Sequence, residues 1–311
     1  MFKFLKLILT AAIFFMDMFC LMTGCMFTEP FLGLLISGED LEANLGRAGL
    51  TIIDARTTGY DEGHITGAIN MLFNDPYYVD DSMKLKPVAE LESVLGELGL
   101  TRDMIFVIYD DTTASFGAAG RIFWMLDYLG CPNVHVLNGG WDKWSADGRP
   151  TETTPNSLPA ATFTSDVQED TLMEKDYLED RLGDDDFVVV DSRTDEEFNG
   201  WTLYGESRGG HITGAIQIPY EWFFKEDKTF LDVAELKELF ESKGITTDKE
   251  VTSFCTIGIR SGFIYFVLRT LGYHRFSNYD VSIVEWCAES FLQMDKMPNY
   301  QALVYPEWVN M

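Results

Sequence analysis

One cysteine lies where a strand pattern changes to a helix pattern, and it is the strongest candidate for chemistry. Cys255 follows the apolar run 251–254 and opens the loop Cys-Thr-Ile-Gly-Ile-Arg-Ser-Gly, and the apolar helix pattern 263–271 comes next. Free N–H groups and the helix dipole favour negative charge at such a position, and the thiolate is the reactive form of cysteine. Gly258 lets the loop turn its amides towards the sulfur, and Arg260 adds a fixed positive charge. Cys255 is therefore predicted to be a nucleophile; the alternative is an inert buried cysteine.

The chain contains two copies of one pattern. Gly-His-Ile-Thr-Gly-Ala-Ile occurs at 63–69 and again at 210–216, and other shared segments keep the same spacing, as in a tandem domain duplication. Alignment of the two copies places Asp110 opposite Cys255, so only the second copy carries a nucleophile. The second copy also has an insertion around 199–209, which is interpreted either as the wall of a pocket or as a plain surface loop.

Each copy alternates β-branched strand patterns with helix patterns, which predicts an α/β fold. We expect two tandem domains, each a mainly parallel sheet with helices on both faces. Ligands of such sheets bind at the carboxyl ends of the strands, where Cys255 is expected. The predicted organisation is an export segment at 1–25, an inactive first domain at 31–150, a linker at 151–165, a catalytic domain at 166–295 and a tail at 296–311.

Together these motifs resemble those of tandem-domain rhodaneses, which are sulfurtransferases of the thiosulfate or 3-mercaptopyruvate type. The similar segments are the repeated His-Ile-Thr-Gly-Ala signature, the Asp-x-Arg pairs ending at Arg56 and Arg193, the Asn-Gly-Gly-Trp stretch and the strand-Cys-loop-helix unit. The resemblance implies a ping-pong reaction, in which a donor passes a sulfane sulfur to Cys255 and cyanide or a thiol removes it from the persulfide. It also implies that the first copy, with Asp110, is inactive.

This reaction needs a cradle for an anionic persulfide and an anion site for the donor. We expect backbone amides of the loop to form the cradle, by the logic of an oxyanion hole. Arg260 and, by resemblance, Arg193 are candidates for the anion site, because a guanidinium binds a sulfonate or carboxylate bidentately; a structural salt bridge is the alternative for Arg193. The predicted substrate-binding residues are Arg193 of the second Asp-x-Arg pair, four residues of the loop and two of the insertion: Arg193, Thr256, Ile257, Gly258, Ile259, Arg208 and Trp201.

The loop departs from both named types of the family. Thr256 and Ile257 stand where the thiosulfate type carries a basic pair, and the loop also differs from the Cys-Gly-Ser/Ala-Gly-Val-Thr of the mercaptopyruvate type. Thiosulfate or an inorganic persulfide is expected over mercaptopyruvate. Two other functions stay open: a catalytically silent rhodanese-like binding module, because fold alone does not establish activity, and a cysteine phosphatase. The phosphatase is the weaker alternative, because only four residues separate Cys255 from Arg260 and phosphatases of this fold use a longer loop.

Composition limits the partners. The chain has 23 basic and 50 acidic residues, for a formal net charge of −27. Such a surface repels nucleic acid and anionic lipid headgroups, so neither is an expected partner. The partners that the resemblance implies are a small anionic sulfur donor and a thiol or cyanide acceptor. The five cysteines form no Cys-x-x-Cys pair, and neither a metal site nor a cofactor is predicted.

The N-terminal segment resembles an export signal. A basic start with Lys3 and Lys6 precedes an apolar stretch that is interrupted by Asp17, and Thr-Gly-Cys ends it at Cys25, as in a bacterial lipobox. This order predicts an exported protein of the cell envelope, tethered to a membrane through a lipidated Cys25. An uncleaved signal anchor is the second interpretation, and a cytoplasmic protein is the third, because an acid within the apolar stretch opposes insertion.

Overall fold

The computed structural model describes residue 31 and residues 33–75 and 78–302 of the 311-residue chain. The predicted export segment and Cys25 lie outside these residues, as does the end of the tail. None of the helices in the described part of the chain has the length and apolar character that a membrane crossing needs.

The first sequence copy folds around a sheet of five parallel strands. In order across the sheet they are Leu35–Ile36, Asn133–Leu137, Ile105–Tyr109, Leu50–Asp54 and Ala68–Asn70. The α-helices of this copy are Gly38–Ala43, Val88–Glu97, Ala118–Tyr128 and Gly140–Ala146. The central strand is buried along its whole length, as expected for a parallel sheet that is covered on both faces.

The second copy repeats this arrangement around four parallel strands. In order they are Ile216–Gln217, Phe187–Asp191, Glu250–Phe254 and Phe276–Asn278. Its α-helices are Lys175–Arg181, Asp195–Asn199, Val233–Glu241, Ile259–Thr270 and Ser282–Ala288. Short 3-10 helices span Glu169–Thr171, Tyr220–Phe223 and Tyr300–Ala302.

Each copy is closed by a short antiparallel pair that uses the repeated His-Ile signature. His64–Ile65 pairs with Thr151–Glu152 in the first copy, and His211–Ile212 pairs with Met294–Asp295 in the second. In each copy the signature therefore pairs with a strand from the C-terminal end of that copy.

Apolar residues on alternate positions of the strands fill separate clusters on the two faces of each sheet. In the first copy Ile108 packs into a cluster that continues into the second copy, whereas Val107 packs into a cluster on the outer face. The second copy has its own outer cluster, which includes Phe254 and Trp286. The structure thus confirms the predicted α/β fold with two tandem domains.

Two helices make the most extensive contact between the domains, and glycines bring their backbones together. Ala118–Tyr128 of the first domain crosses Ile259–Thr270 of the second. A Cβ at Gly120 would overlap the backbone of Phe263, and a Cβ at Gly262 would lie 2.8 Å from the Cα of Arg121. Small residues at the crossing therefore allow close packing.

The segment 151–165, predicted as a linker, lies along the first domain. After its two strand residues the amide of Ala161 donates to the Gly96 carbonyl at 2.8 Å, and Phe163 is buried. Ser165 donates to Glu92 from both its amide and its hydroxyl. Hydrogen bonds and apolar burial therefore hold this segment against the first domain.

Candidate active site

Cys255 lies directly after strand Glu250–Phe254, and its side chain is 1% exposed. Helix Ile259–Thr270 begins four residues later, after Gly258 in the left-handed conformation with φ 83°. This turn aims the Gly258 amide at Cys255, so that N–H donates to Sγ at 3.1 Å, while the Ser261 hydroxyl lies 3.8 Å from the sulfur. The loop places hydrogen-bond donors around the thiol, as the cradle hypothesis expects.

The surroundings of Cys255 favour its thiolate. Burial acts to raise the pKa of the thiol, but the charge of Arg260 and hydrogen bonds from the Ser261 and Ile257 amides and the Ser261 hydroxyl outweigh it. The pKa of Cys255 consequently lies below its ordinary value. Cys131, which is also buried, shows the opposite result, because burial raises the pKa of its thiol and the nearby Asp127 raises it further.

Arg260 is held by a carboxylate that sequence reasoning missed. Its Nη1 and Nη2 donate to Oε2 and Oε1 of Glu197 at 2.7 and 2.8 Å, and Nη2 also donates to the Thr256 hydroxyl at 2.7 Å. That hydroxyl in turn donates to Glu197 at 2.8 Å. Glu197 is fully buried. Although burial acts to raise its pKa, the Arg260 pair lowers it below the ordinary value.

Glu197 owes its position to a helix start. Thr194 and Glu197 form a capping box at the first turn of helix Asp195–Asn199, which is the Thr-x-x-Glu pattern of such starts. The pattern is visible in the sequence, but it indicates only a helix start and not a partner 63 residues away. The charge predicted for donor binding is thus already engaged in a bidentate ion pair.

A pocket of about 240 Å³ opens above the sulfur, with mostly apolar walls. The second domain contributes residues of the loop and the insertion, and the first domain contributes two phenylalanines. The lining residues are Phe73, Phe116, Tyr204, Cys255, Thr256, Ile257, Ile259 and Arg260. Tyr204 comes from the insertion, and its ring lies 5.8 Å from the Arg260 guanidinium. The insertion therefore forms a wall of the pocket, the first of its two interpretations.

Phe116 reaches this pocket from the loop that replaces the cysteine loop in the first copy. Eight residues run from Asp110 to the left-handed Gly117, against four from Cys255 to Gly258. The longer loop carries Phe116, which is 42% exposed. Phe116 lines this pocket because the two domains meet there, and no local sequence pattern indicates that contact.

The other predicted substrate-binding residues are placed outside the pocket lining. Arg193 is 1% exposed and donates from Nε and Nη2 to Asp191, and from Nη2 to the Gly210 carbonyl at 2.8 Å. Arg56 pairs with Asp54 in the same way in the first copy, so this ion pair is a repeated feature of the fold. The structure favours the salt-bridge alternative for Arg193.

Arg208 and Trp201 hold the insertion in place. Arg208 donates to four backbone carbonyls at and after the end of helix Ser282–Ala288, at distances from 2.6 to 3.2 Å. Trp201 packs edge-on against Tyr300 at 5.7 Å between ring centroids. These contacts position the segment that presents Tyr204 to the pocket.

Asp110 occupies the cysteine position of the first copy, and its carboxylate takes the place of the sulfur. It accepts hydrogen bonds from the amides of Thr112 at 2.8 Å and Ala119 at 2.9 Å. Burial raises its pKa to about 7. The first domain thus has backbone amides at the position of the cradle, but they donate to the Asp110 carboxylate.

Replacing Asp110 by alanine should leave the rate of sulfur transfer within a few-fold of the wild-type rate. The carboxylate caps its own loop and is not among the residues that line the pocket at Cys255. Loss of the cap should lower the free energy of unfolding by about 1–3 kcal/mol, because two buried amides lose their acceptor. Steady-state rates and chemical denaturation of Asp110→Ala and of the milder Asp110→Asn test this. Loss of most activity in either folded variant would contradict it.

Comparison with known proteins agrees with the fold. Residues 37–147 and 174–289 each match the rhodanese-like domain family. The thiosulfate sulfurtransferase of Pseudomonas aeruginosa is 35% identical over 263 residues, covering 82% of this chain and 94% of that protein. The thiosulfate sulfurtransferase of Azotobacter vinelandii is 33% identical over 261 residues, with the same coverage.

Solved structures share the fold at lower identity. The structure of YnjE superposes with a TM-score of 0.73 at 22% identity over 80% of this chain, and this chain spans 63% of that one. An anaerobic ergothioneine biosynthesis enzyme from Chlorobium limicola gives a TM-score of 0.73 at 21% identity, covering 90% of this chain and 68% of that chain. From the two domain matches and the curated relatives together, the chain belongs to the rhodanese family and is a sulfurtransferase with two tandem rhodanese-like domains.

Proposed function

We propose that this sulfurtransferase moves a sulfane sulfur from thiosulfate, or a similar small anionic donor, through a persulfide on Cys255 to a thiol or to cyanide. The observation that carries the proposal is the position of the Cys255 sulfur. Cys255 lines a pocket, and its sulfur lies 3.1 Å from the Gly258 amide and near the Arg260 charge that favours its thiolate.

In the first half-reaction the Cys255 thiolate attacks the outer sulfur of thiosulfate. The sulfur–sulfur bond of the donor breaks, sulfite leaves with the bonding pair, and the enzyme holds a persulfide anion. Amides such as that of Gly258 stabilise this anion as they would an oxyanion. In the second half-reaction cyanide or a thiolate attacks the outer sulfur, and the Cys255 thiolate is regenerated as thiocyanate or an acceptor persulfide leaves.

The direct test is the mass of the peptide that contains Cys255. After incubation with thiosulfate, that peptide should gain the mass of one sulfur atom, and the peptides of Cys131 and Cys287 should not. Cyanide should then remove the added mass and release one equivalent of thiocyanate. An unmodified Cys255 peptide in protein that turns over donor would exclude the persulfide.

The donor expected from the relatives and the loop is thiosulfate or an inorganic persulfide rather than mercaptopyruvate. Two relatives covering 82% of this chain are named thiosulfate sulfurtransferases. Measurement of kcat/KM for thiosulfate, polysulfide, glutathione persulfide and mercaptopyruvate, each with cyanide and with a thiol acceptor, checks this order. A much higher kcat/KM for mercaptopyruvate would overturn it.

For residues 1–25 we propose export and membrane tethering through a lipidated Cys25, on the basis of the basic, apolar and Thr-Gly-Cys order of that segment. The membrane-extracted protein should have an intact mass that corresponds to a chain starting at Cys25 with added acyl groups. The Cys25→Ser variant should lose those groups. A chain that starts at Met1 and resides in the cytosolic fraction would contradict the proposal.

A further inference from the structure

One side chain of the first domain reaches behind the sulfur loop of the second. Arg121 lies on helix Ala118–Tyr128 and is 1% exposed. Its Nη1 donates to the carbonyl of Gly258 at 3.4 Å and forms an ion pair with Asp280. Its Nη2 donates to the Met83 carbonyl at 3.0 Å. The guanidinium therefore contacts the same glycine whose amide donates to the Cys255 sulfur.

Asp280, the ion-pair partner of Arg121, lies close to both the first domain and the Cys255 loop. It is 2% exposed, and its Oδ2 accepts a hydrogen bond from the Leu85 amide of the first domain at 2.7 Å. Two residues later, the Ser282 hydroxyl accepts from the Cys255 amide at 3.1 Å. The Arg121–Asp280 pair thus joins both domains at the back of the loop, where Cys255 and Gly258 lie.

Gly258 depends on contacts from outside the loop to keep its conformation. Its φ of 83° is open to glycine, but the same freedom allows an unsupported glycine many other conformations. A Cβ at this position would overlap both Arg121 Nη1 and the Asp280 carbonyl oxygen. Arg121 and Asp280 therefore pack directly on Gly258, and rotation of its backbone would break the hydrogen bond from Arg121.

We propose that Arg121 is a positioning residue of the active site, through which the domain that lacks a nucleophile fixes the Gly258 amide against the Cys255 sulfur. An amide stabilises a thiolate or persulfide most when its orientation is set before the charge forms. The inference rests on the proposed function only in that Cys255 is the reacting group, and Arg121 acts on it through Gly258.

The test is the pH profile of Cys255 alkylation by iodoacetamide in Arg121→Met and Arg121→Lys, followed on the Cys255 peptide by mass spectrometry. In Arg121→Met the rate constant at neutral pH should fall about fivefold, the equivalent of the roughly 1 kcal/mol of a net hydrogen bond, and the midpoint should move to higher pH. Arg121→Lys keeps a positive charge for Asp280 but not the planar fork, so it should give a value between wild type and Arg121→Met.

Tyr265→Phe is the matched control. The Tyr265 hydroxyl donates to Asp127 across the same two helices, so its loss weakens the same domain interface without touching Gly258. This variant should unfold at a lower denaturant concentration and keep the wild-type alkylation profile. If both Arg121 variants, folded by circular dichroism, keep that profile, Arg121 is structural only. If Tyr265→Phe moves the profile equally, general loosening of the interface replaces the proposal.

Alkylation separates this inference from the proposed function, because it measures the Cys255 thiolate without any sulfur donor. A shifted profile in the Arg121 variants upholds the positioning role even if no donor forms a persulfide. An unshifted profile together with a wild-type persulfide would overturn the positioning role and leave the transfer reaction intact.

Discussion

Cys255→Ser is expected to abolish sulfur transfer while the protein stays folded. Serine has almost the same shape and fills the same buried site, but its hydroxyl is not ionised at neutral pH and cannot hold a persulfide. Thiocyanate formation from thiosulfate and cyanide should fall to the uncatalysed rate. The measurement is the steady-state rate, together with a thermal unfolding curve that remains close to that of the wild type.

Cys131→Ser is the matched control for this change. Both cysteines are almost fully buried, but burial and nearby acids raise the pKa of Cys131, whereas Arg260 and the loop donors hold the pKa of Cys255 below its ordinary value. Cys131→Ser should therefore keep the wild-type rate.

In the intact protein Cys255 should be alkylated at neutral pH faster than a free cysteine with a pKa of about 8.5.

The same variants distinguish the other two functions. Robust hydrolysis of aryl phosphates that depends on Cys255, with no persulfide, would indicate the cysteine phosphatase. Folded wild-type protein with neither activity would indicate the silent binding module. Sulfur transfer that survives Cys255→Ser would place the reacting group elsewhere.

The surroundings of Cys255 could be predicted from the sequence because they depend on neighbours in the chain. Strand, thiol, Gly258 and helix start follow one another within a few residues, and their pattern fixes both position and charge preference. The repeated signature likewise revealed two domains, because a duplication preserves order and spacing.

The first domain's part of the pocket and the ion pair of Arg260 could not be predicted, because they depend on contacts between distant segments. Phe116 is part of the pocket only because the domains meet there, and Glu197 is a functional partner only because the fold brings its helix start to Arg260. The partner of Arg193, in contrast, is close to it in the chain. Asp191 is two residues away, and local geometry alone accounts for the burial of Arg193 without a substrate.

Glu197→Gln is expected to destabilise the protein and, at the same time, to make the Cys255 thiol more acidic. The carboxylate is fully buried and paired with Arg260 in two hydrogen bonds. Removing one partner of a buried ion pair costs about 3–5 kcal/mol, because the remaining charge is left without compensation. Chemical denaturation at neutral pH measures this loss.

The pH dependence of stability gives the sign of the Glu197 contribution. Burial acts to raise the pKa of Glu197, but its hydrogen bonds and ion pair with Arg260 lower it below the ordinary value of 4.5. Its stabilisation is therefore fully present above pH 4.5 and is lost as the pH falls through the folded-state pKa. The wild type should lose stability over this acid range more steeply than Glu197→Gln, which has no carboxylate to protonate there.

Glu197→Gln should make the Cys255 thiol more reactive although it makes the protein less stable. Without the carboxylate of Glu197, the positive charge of Arg260 acts on Cys255 without a compensating negative charge. The pKa of the thiol should therefore fall further, and alkylation at mildly acidic pH should become faster.

Asp54→Asn is the control, because it breaks the buried pair with Arg56 in the first domain. It should lower the free energy of unfolding and leave the Cys255 profile unchanged. Slower alkylation of Cys255 in folded Glu197→Gln would mean that Glu197 serves mainly to hold Arg260 close to the sulfur, and that this position matters more than the charge it neutralises.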